Sequence, residues 1–510
     1  MQLDPDICYR AILARDARFD GRFFTGVHTT GIYCRPICPA TAPRRDHVSF
    51  HLSAAAAQAA GFRPCLRCRP ETTPDIAAWY GTRNTVSRAM TLIAEGALNN
   101  AGIDVPADRL GLGARQLRRL FQTHLGAAPL AIANARRIDL AKQLITETTL
   151  PLSDVALAAG FRSIRRFNAS FQAIYRQTPS ALRRPNPDRR AANPAPNVVL
   201  NATPICPGLT LILPYKPPYD WDALLQHFAN RAITGVESVT TTHYARIITL
   251  HNAANAIGTI SVTRAPKAHA LTATIRFPVI AALPGIVERL RRLFDLGADP
   301  ALIDAHLAHD PLLAPSIAAH PGLRVPGAWD GFEMAVRAIL HQHVSLAAAV
   351  RLLTRLVDQF GAKIPPDISC HSHPTLTHRF PTPREIAAIA PATLAATLTI
   401  PIRRAASIIG LAHAALNQPT WFAPGAPLDH AINTLTTLPG IGPWTAQMIA
   451  LRALHEPDAF PNTDLVLRRA LNHDLPVLND PGPSRTAHHA RTESWRPWRA
   501  YAAQHLWTRS

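Results

Sequence analysis

The spacing of apolar residues along the chain separates stretches of predicted helix from stretches of predicted strand. Residues 84–183 and 286–510 carry apolar positions at helical spacing, interrupted at intervals by Pro and Gly. Residues 209–285 instead alternate apolar and polar positions and are rich in Thr, Ile and Val, most clearly at 245–250 and 270–277. This alternation predicts β-strands that have one face buried.

Two further segments follow neither period. Residues 1–76 are rich in Arg, Pro and Cys, and residues 184–207 are a run of Pro, Asn and Ala that is typical of a linker. A chain of 510 residues is too long for one ordinary hydrophobic core. We therefore expect a multidomain α+β protein with boundaries at these changes of pattern.

The composition narrows the choice of partners. The 47% hydrophobic and 17% charged content fits globular packing, and the absence of a long apolar run or signal-type leader predicts a soluble cytoplasmic protein. The net charge is +19, and residues 1–200 hold 27 Lys and Arg against 14 Asp and Glu. A polyanion is the expected partner, and nucleic acid is favoured over a membrane because no basic anchor or lipidation signal is present. The alternative is that the charge reflects a generally basic composition and indicates no particular partner.

Four of the seven cysteines lie in two close pairs. Cys34 and Cys38 are separated by three residues, Cys65 and Cys68 by two, and 26 residues lie between the pairs. Each pair can span one edge of a tetrahedron, so the spacing predicts one Zn²⁺ bound by four thiolates. A zinc site of this kind is either purely structural or reactive, and the spacing does not separate the two.

Two helix-turn-helix patterns occur in the helical middle, at 105–125 and 152–171. In the second we expect Ser153 to cap the first helix and Gly160 to make the left-handed turn. Side chains on the second helix of each pattern would then face the major groove. The expected DNA contacts are Arg115, Gln116, Arg118, Arg119, Ser163, Arg165, Arg166 and Asn168.

The run 438–446 reads LPGIGPWTA, a Gly-x-Gly turn that precedes a predicted helix. Such a turn exposes backbone N–H groups to a phosphate, and the helix dipole adds to the attraction. A helix-like segment precedes it, at 431–437, so a dinucleotide-binding fold is disfavoured and a helix-hairpin-helix is indicated. We expect Gly440, Gly442 and Thr445 to contact the DNA backbone.

The N-terminal motifs resemble the zinc domain of the Ada methylphosphotriester-DNA repair and sensor proteins. The resemblance rests on TTGIYCRP at 29–36, VSF at 48–50 and AGFRPC at 60–65. It implies that Cys34 irreversibly accepts a methyl group from a DNA phosphotriester. The family often has Arg near position 41, where this chain has Thr41, so Arg44 and Arg45 are the alternative phosphate contacts. Methylation would halve the −2 charge of the zinc–thiolate centre and favour DNA binding.

The segment 84–183 is similar to AraC-type DNA-binding domains, through RQLRRLF at 115–121, GF at 160–161 and TPSALR at 178–183. It follows the zinc segment directly, as it does in Ada proteins. The resemblance implies an all-α double helix-turn-helix domain that binds promoter DNA, with RNA polymerase as a candidate partner. The Pro-Cys-His-Arg string of the next Ada domain is missing from the sequence.

Residues 209–510 resemble AlkA-type 3-methyladenine DNA glycosylases, through PPYDW at 217–221, RLFDL at 292–296 and WRPWRAYA at 495–502. The resemblance implies a TBP-like antiparallel sheet with helices over 209–285 and an all-α glycosylase domain over 286–510. It makes Asp464 the catalytic carboxylate. The expected base-pocket aromatics are Trp444, Trp495, Tyr219 and Trp221, although core packing is an equal alternative for the last two. Backbone carbonyls of Thr436, Leu438 and Ile441 would bind a monovalent cation.

The same resemblance predicts the type of reaction. Relatives with lyase activity have Lys where this chain has Trp444, so we expect base excision that leaves an abasic site. No cysteine follows Cys370, so an iron–sulfur cluster is not expected, nor is an organic cofactor. Bases alkylated at N3 or N7, such as 3-methyladenine and 7-methylguanine, carry positive charge and leave readily. One carboxylate that stabilises the oxocarbenium-like sugar is therefore sufficient.

The segment LHQHVS at 340–345 departs from the family, which has Gly at the position of His341. A bulky residue at the position of His343 fills the gap left by the extruded base. We expect His343 to act as this wedge and Gln342 to contact the orphaned strand.

The leading hypothesis is a cytoplasmic, nucleoid-associated bacterial protein, expected to be a monomer, that senses alkylation, regulates transcription and excises alkylated bases from double-stranded DNA. The first rival is an alkylation-responsive transcription activator whose glycosylase half is a non-catalytic DNA clamp. The second keeps the glycosylase but makes Cys34 purely structural.

Overall fold

The computed structural model describes residues 3–73, 84–99, 102–183, 208–250, 256–266, 268–365, 373–423, 426–473 and 489–509. The predicted linker at 184–207 lies outside the described residues. The chain forms two compact units, one of 1–214 with 250–256 and 272–288, the other of 215–249, 257–271 and 289–510. Within the described residues no helix is long and apolar enough to span a bilayer.

The N-terminal segment is built on a four-stranded sheet in the order β3-β1-β2-β4. Strand β1 is antiparallel to β2 and β3, and β2 is parallel to β4. Because Tyr33 on β2 lies opposite Pro64 on β4, the ends of these strands place Cys34 beside Cys65. The elements are α1 (Pro5–Leu13), β1 (Phe24–Val27), β2 (Ile32–Cys34), β3 (Val48–His51), α2 (Ala54–Ala59) and β4 (Arg63–Pro64).

The predicted helical middle is helical, and α6 packs against both α7 and α8. Gly160 makes the left-handed turn between α7 and α8, with φ +86°. The expected N-cap at Ser153 was wrong: the N-cap of α7 is Pro151, two residues earlier, and the Pro151 carbonyl accepts from the N–H of Val155. The helices are α3 (Asn84–Ala94), α4 (Asp104–Arg109), α5 (Ala114–Leu125), α6 (Pro129–Glu147), α7 (Leu152–Ala158), α8 (Ile164–Tyr175) and α9 (Pro179–Leu182).

Ion pairs join the cysteine-rich segment to α6, and the Lys142–Glu71 pair among them is buried. Lys142 Nζ lies 2.6 Å from Glu71 Oε1, and Arg69 contacts Glu71 and Glu147 at 3.0 Å each. The Oδ1 atom of Asp139 is buried in the same region. Burial, reinforced by the charge of Glu71, raises the pKa of Asp139 to about 7.

The predicted strands are present in a five-stranded sheet of order β5-β9-β8-β7-β6. The alternation expected at 245–250 belongs to β7, and that at 270–277 belongs to β9. Strands β6 and β7 are antiparallel, with Glu237 opposite Arg246. The elements are β5 (Leu209–Pro214), α10 (Trp221–Ala229), β6 (Glu237–Val239), β7 (His243–Leu250), β8 (Ala256–Arg264) and β9 (Ala270–Arg276).

The C-terminal part is helical, and its core surrounds α14, which packs on α15, α18 and α20. Apolar residues of α14 such as Ala335, Val336 and Ile339 are fully buried. The helices are α11 (Leu283–Leu293), α12 (Pro300–Leu307), α13 (Ala314–Ala319), α14 (Gly331–Leu340), α15 (Leu346–Phe360), α16 (Pro383–Ala387), α17 (Pro391–Leu398), α18 (Ile402–Asn417), α19 (Leu428–Thr436), α20 (Pro443–Arg452), α21 (Leu465–His473) and α22 (Arg499–Thr508).

The raised pKa of Asp139 predicts a pH-dependent stability. The folded protein favours the neutral carboxyl, so this group stabilises the fold below its ordinary pKa of 3.8, and that contribution is lost as the pH rises to about 7. An Asp139→Asn variant should therefore gain in thermal unfolding midpoint over the wild type as the pH is raised from 5 to 8. Asp108→Asn, an exposed change on α4, should show no such trend. A variant that is less stable than the wild type at pH 8 would mean that Asp139 is ionised and paired.

Candidate functional site

The predicted hairpin is formed by α19, a turn at 437–442 and α20. Gly440 has φ +83°, and a Cβ there would lie 2.1 Å from Ser407 Oγ, so both the backbone conformation and the space require glycine. Gly442 is the N-cap of α20, and no side chain caps that end. The first N–H groups of α20 are therefore not occupied by a capping side chain and are suited to bind a phosphate.

Asp464 lies at the start of α21, where four donors orient its carboxylate. Its Oδ1 accepts from the backbone N–H groups of Val466 and Leu467 at 3.0 and 3.1 Å, and from the indole of Trp507 at 3.2 Å. Its Oδ2 accepts from the indole of Trp444 at 2.9 Å. These contacts fix the carboxylate beside the hairpin while leaving the residue partly exposed.

Two aromatic side chains bracket this carboxylate. Trp444, the second residue of α20, is half-buried, and its ring centroid lies 6.0 Å from that of His341. Trp507 lies on α22, and the guanidinium of Arg452 lies 5.3 Å from the centroid of the Trp507 ring. Nothing in the linear pattern points to Trp507, because 43 residues separate it from Asp464.

The loop after α14 contacts the hairpin. The side-chain amide of Gln342 donates to the Gly440 carbonyl at 2.9 Å and to Thr445 Oγ1 at 2.8 Å. Arg404 in turn donates to the Gln342 carbonyl at 2.9 Å. Gln342 therefore braces the hairpin, and its expected contact with the orphaned strand stays a prediction. The next residue, His343, is exposed with φ +58°.

The Thr445 side chain lies inside the fold. It is 1% exposed, and its hydroxyl accepts the Gln342 bond, so this hydroxyl supports the hairpin. Thr445 is the third residue of α20, a helix that packs on α14, and the expected contact of this residue with the DNA backbone stays a prediction.

Three of the aromatics expected in the base pocket lie in the core. Trp495 is 1% exposed, donates to Asp310 at 2.7 Å and packs edge-on against Phe460. Tyr219 donates to the Phe294 carbonyl at 2.6 Å, and Trp221 packs on the Phe294 ring. For Tyr219 and Trp221 the structure favours the alternative of core packing. Trp444 is the predicted pocket aromatic that lies beside Asp464.

The expected DNA-reading side chains are exposed on one helix of each helix-turn-helix pattern. Ser163 is the N-cap of α8, and its hydroxyl accepts from the N–H of Arg166. Phe167 and Phe171 bury the opposite face of α8. The exposed set comprises Arg115, Gln116, Arg118 and Arg119 on α5 and Arg165, Arg166 and Asn168 on α8, with Ser163 preceding it.

The four predicted zinc ligands are brought together. The Sγ atoms of Cys34, Cys38, Cys65 and Cys68 all lie within 4.8 Å of one another. Thiolates at about 2.3 Å from a tetrahedral Zn²⁺ are separated by roughly 3.8 Å, so the cluster needs only a small contraction to bind the ion. The donor set and its spacing therefore fit Zn²⁺.

The four sulfur atoms are not equivalent. Cys65 and Cys68 are buried, whereas Cys34 and Cys38 are half-buried. Backbone N–H groups bond to three of them: Arg35 to Cys68 at 3.4 Å, Ala40 to Cys38, and Cys68 to Cys65. Interaction with the Cys34 thiol lowers the pKa of Cys38 to about 7. The same contacts among the sulfur atoms raise the pKa of Cys34 and Cys68, so a bound cation would favour their thiolates by replacing the protons that the cluster shares.

Comparison with known proteins identifies the family. The chain is 41% identical over 511 residues to the "Probable bifunctional transcriptional activator/DNA repair enzyme AlkA" of Mycobacterium tuberculosis, and the match spans 100% of this chain and 97% of that protein. The chain belongs to this family of bifunctional AlkA proteins. The first half is also similar to the bifunctional Ada protein of Escherichia coli, at 37% identity over 135 residues, which is 26% of this chain and 37% of that protein.

The second half is similar to DNA-3-methyladenine glycosylase 2 of E. coli, at 34% identity over 297 residues, which is 58% of this chain and 95% of that protein. Four family models match in the order expected of an AlkA fusion. They are the metal-binding domain of Ada at 7–71, a helix-turn-helix domain at 107–185, the AlkA N-terminal domain at 210–330 and the HhH-GPD superfamily of base excision DNA repair proteins at 336–498. The predicted fusion of these parts is confirmed.

The two glycines of the hairpin predict different responses to substitution. Gly440→Ala places a Cβ against Ser407 at a positive φ and should destabilise the glycosylase half by about 1–3 kcal/mol, with weaker binding to undamaged duplex DNA. Gly442→Ala, at φ −84° with open space around it, should cost less than about 1 kcal/mol, the typical penalty of Ala at an N-cap. Thermal unfolding and duplex titration measure both quantities. Adding Ser407→Gly to Gly440→Ala should restore part of the stability; equal stability of the two single variants would contradict the steric argument.

Proposed function

We propose that this protein is a monofunctional DNA glycosylase that excises alkylated bases of the 3-methyladenine and 7-methylguanine type, with Asp464 as the catalytic carboxylate. The observation that carries the proposal is the placement of Asp464. Two indole N–H groups and two backbone N–H groups hold its carboxylate next to a helix-hairpin-helix. The similarity to DNA-3-methyladenine glycosylase 2 supports the choice of lesion.

The reaction needs little more than this carboxylate. As the bond from C1′ of the sugar to the base nitrogen breaks, its electron pair neutralises the positive charge of the alkylated base. Asp464 stabilises the oxocarbenium-like sugar by its negative charge, water adds to C1′, and the proton of that water passes to solvent. We propose that the electron-rich face of Trp444 stacks on the extruded cationic base.

The hairpin and the loop after α14 supply the grip on DNA. We propose that N–H groups near Gly440 and Gly442 bind a phosphate and that carbonyls of Thr436, Leu438 and Ile441 bind a monovalent cation there. The Leu438 carbonyl already accepts from the Ile441 N–H at 3.1 Å, but a carbonyl oxygen has a second lone pair. The exposed His343, at the tip of its loop, is the proposed wedge.

We further propose that Cys34 accepts a methyl group from a DNA methylphosphotriester. The Cys34 thiolate would attack the methyl carbon, and the carbon–oxygen bond would break to leave an anionic phosphodiester. Bound zinc keeps such sulfur atoms deprotonated at neutral pH. Hydrogen bonds from N–H groups reduce the nucleophilicity of the sulfur atoms that accept them, and those bonds fall on the other three cysteines. Cys34 is also half-exposed, which gives a substrate access to it.

The helix-turn-helix segment is the proposed regulatory part. Exposed Arg side chains on α5 and α8 suit binding to a promoter, and RNA polymerase is the proposed protein partner of the bound activator. We propose a nucleoid-associated monomer, with functional domains at 1–76, 84–183, 209–285 and 286–510.

Asp464→Asn tests the glycosylase proposal. Asn retains the oxygen that caps α21 but lacks the negative charge, so release of 3-methyladenine and 7-methylguanine from alkylated duplex DNA should fall by at least about 100-fold. Binding to undamaged duplex should stay within about twofold, because no phosphate contact is removed.

Asp358→Asn, an exposed change on α15, is the matched control and should release both bases at the wild-type rate. Unchanged release by Asp464→Asn would remove Asp464 from the reaction. Intact binding without release by the wild type would favour the non-catalytic clamp.

Methyl transfer to Cys34 is tested by mass spectrometry of the zinc-loaded protein after incubation with a duplex that contains a methylphosphotriester. The peptide that contains Cys34 should gain the mass of one methylene group, about 14 Da, and the peptide that contains Cys65 and Cys68 should not. A Cys34→Ser variant should gain nothing. Methylation of Cys38 in the wild type would show that Cys38, and not Cys34, is the acceptor. If no cysteine gained the mass of a methylene group, the cysteine site would be purely structural.

A further inference from the structure

His341 lies beside the catalytic carboxylate without any role in the mechanism described above. It is the C-cap of α14, its backbone N–H donates to the Arg337 carbonyl, and its side chain is half-buried. Its ring centroid lies 6.0 Å from that of Trp444, with the ring planes at 51°. Trp444 is itself bonded to Asp464 at 2.9 Å.

The charged groups that face His341 come from two other elements. Arg231, just after α10, and Asp464, at the start of α21, both act on it. Burial lowers the pKa of His341 below its ordinary value of 6.5, and the positive charge of Arg231 lowers it further, whereas Asp464 opposes this shift. The imidazole is therefore neutral at neutral pH.

A base cut from its sugar by Asp464 must lie within a few ångströms of that carboxylate. Because Trp444 is bonded to Asp464 and His341 faces Trp444, such a base is adjacent to the imidazole. The ring occupies volume that a smaller residue would leave open. A neutral ring also tolerates a cationic base, whereas an imidazolium would repel that base and compete with it for Asp464.

We propose that His341 is a specificity-determining residue whose neutral imidazole forms a wall of the base pocket, so that the pocket admits cationic alkylated purines of normal size and disfavours enlarged neutral bases. The inference rests on the proposed glycosylase function and deepens it. His341 does not act as the proton donor to the leaving base, since a cationic base leaves as a neutral molecule and needs no proton.

The test compares release of 7-methylguanine with release of 1,N6-ethenoadenine, an enlarged neutral base, from otherwise identical duplexes. His341→Gly should shift the ratio of kcat/KM toward 1,N6-ethenoadenine by about tenfold, because the pocket is widened. His413→Gln, an exposed change on α18, should leave the ratio unchanged. A ratio that His341→Gly changes by less than about twofold would overturn the proposal.

The pH profile supplies an independent measurement. Below pH 6.5 the wild type should lose activity on 7-methylguanine more steeply than on 1,N6-ethenoadenine, because protonated His341 repels only the cationic base. His341→Gln, which cannot become cationic, should reduce this difference to the part that comes from protonation of the neutral base as it leaves. Taking the ratio of the two substrates cancels any titration that affects both reactions equally. Parallel profiles in the wild type would contradict a role for the imidazole charge.

Binding separates failure of this inference from failure of the proposed function. Duplexes that carry 2′-fluorinated, non-cleavable nucleotides of the two bases can be titrated with the Asp464→Asn protein, with and without His341→Gly. The affinity ratio should move by about tenfold in the same direction as the kcat/KM ratio. If the wild type releases neither base, the glycosylase proposal fails, but this affinity ratio still decides whether His341 selects the extruded base.

Discussion

A buried network of four charges fixes the helix on which the glycosylase site depends. Glu333 and Arg337 on α14 pair with each other and with Arg246 and Glu237 of the antiparallel strands. All four side chains are at most 15% exposed. Breaking a buried pair costs about 3–5 kcal/mol, because the remaining charge is left without a partner. The axial position of α14 is therefore tightly specified, and so is the loop at its C-terminal end.

The position of α14 determines the position of Trp444 and Asp464 through a short chain of contacts. His341 is the C-cap of α14, and the next residue, Gln342, donates to the carbonyl of Gly440 and to the hydroxyl of Thr445. The hairpin braced in this way begins α20, whose second residue is the Trp444 that bonds to Asp464. One helix thus sets both the Gly-x-Gly turn and the aromatic whose indole N–H bonds to the Asp464 carboxylate. An error in its register would displace the proposed pocket wall and the proposed DNA grip together.

A similar use of buried charge joins the two parts of the first unit. Arg69 directly follows Cys68 of the cysteine cluster and pairs with Glu147 at the end of α6, but its side chain is 37% exposed. Lys142 of the same helix pairs with Glu71, and both of these side chains are at most 3% exposed. The helix between the two helix-turn-helix patterns is therefore connected to the cysteine-rich segment by a buried pair that is costly to separate. This arrangement explains why the cysteine-rich segment and the helical segment form one compact unit, although their sequence patterns differ.

The sequence by itself was enough to predict the features that depend on local pattern and on the chemistry of individual residues. Thiol spacing predicted the cysteine cluster, the period of apolar residues predicted the strands β7 and β9, and a Gly-x-Gly turn between helices predicted the hairpin around Gly440. Asp464 followed from its distance to that hairpin together with a family resemblance. These features can be recognised in the sequence because each consists of one short segment or of two short segments.

The tertiary structure decided which side chains meet. Trp507 and Asp464 are 43 residues apart, and their hydrogen bond exists only because α22 packs against α21. Trp495 and Trp444 look alike as aromatic positions, but the first bonds to Asp310 in the core, whereas the second bonds to the carboxylate of Asp464. The side chains of Gln342 and Thr445, both expected at the DNA, hydrogen-bond to each other, and that of Thr445 is 1% exposed. Burial and partner choice depend on long-range packing, and the order of residues along the chain does not record it.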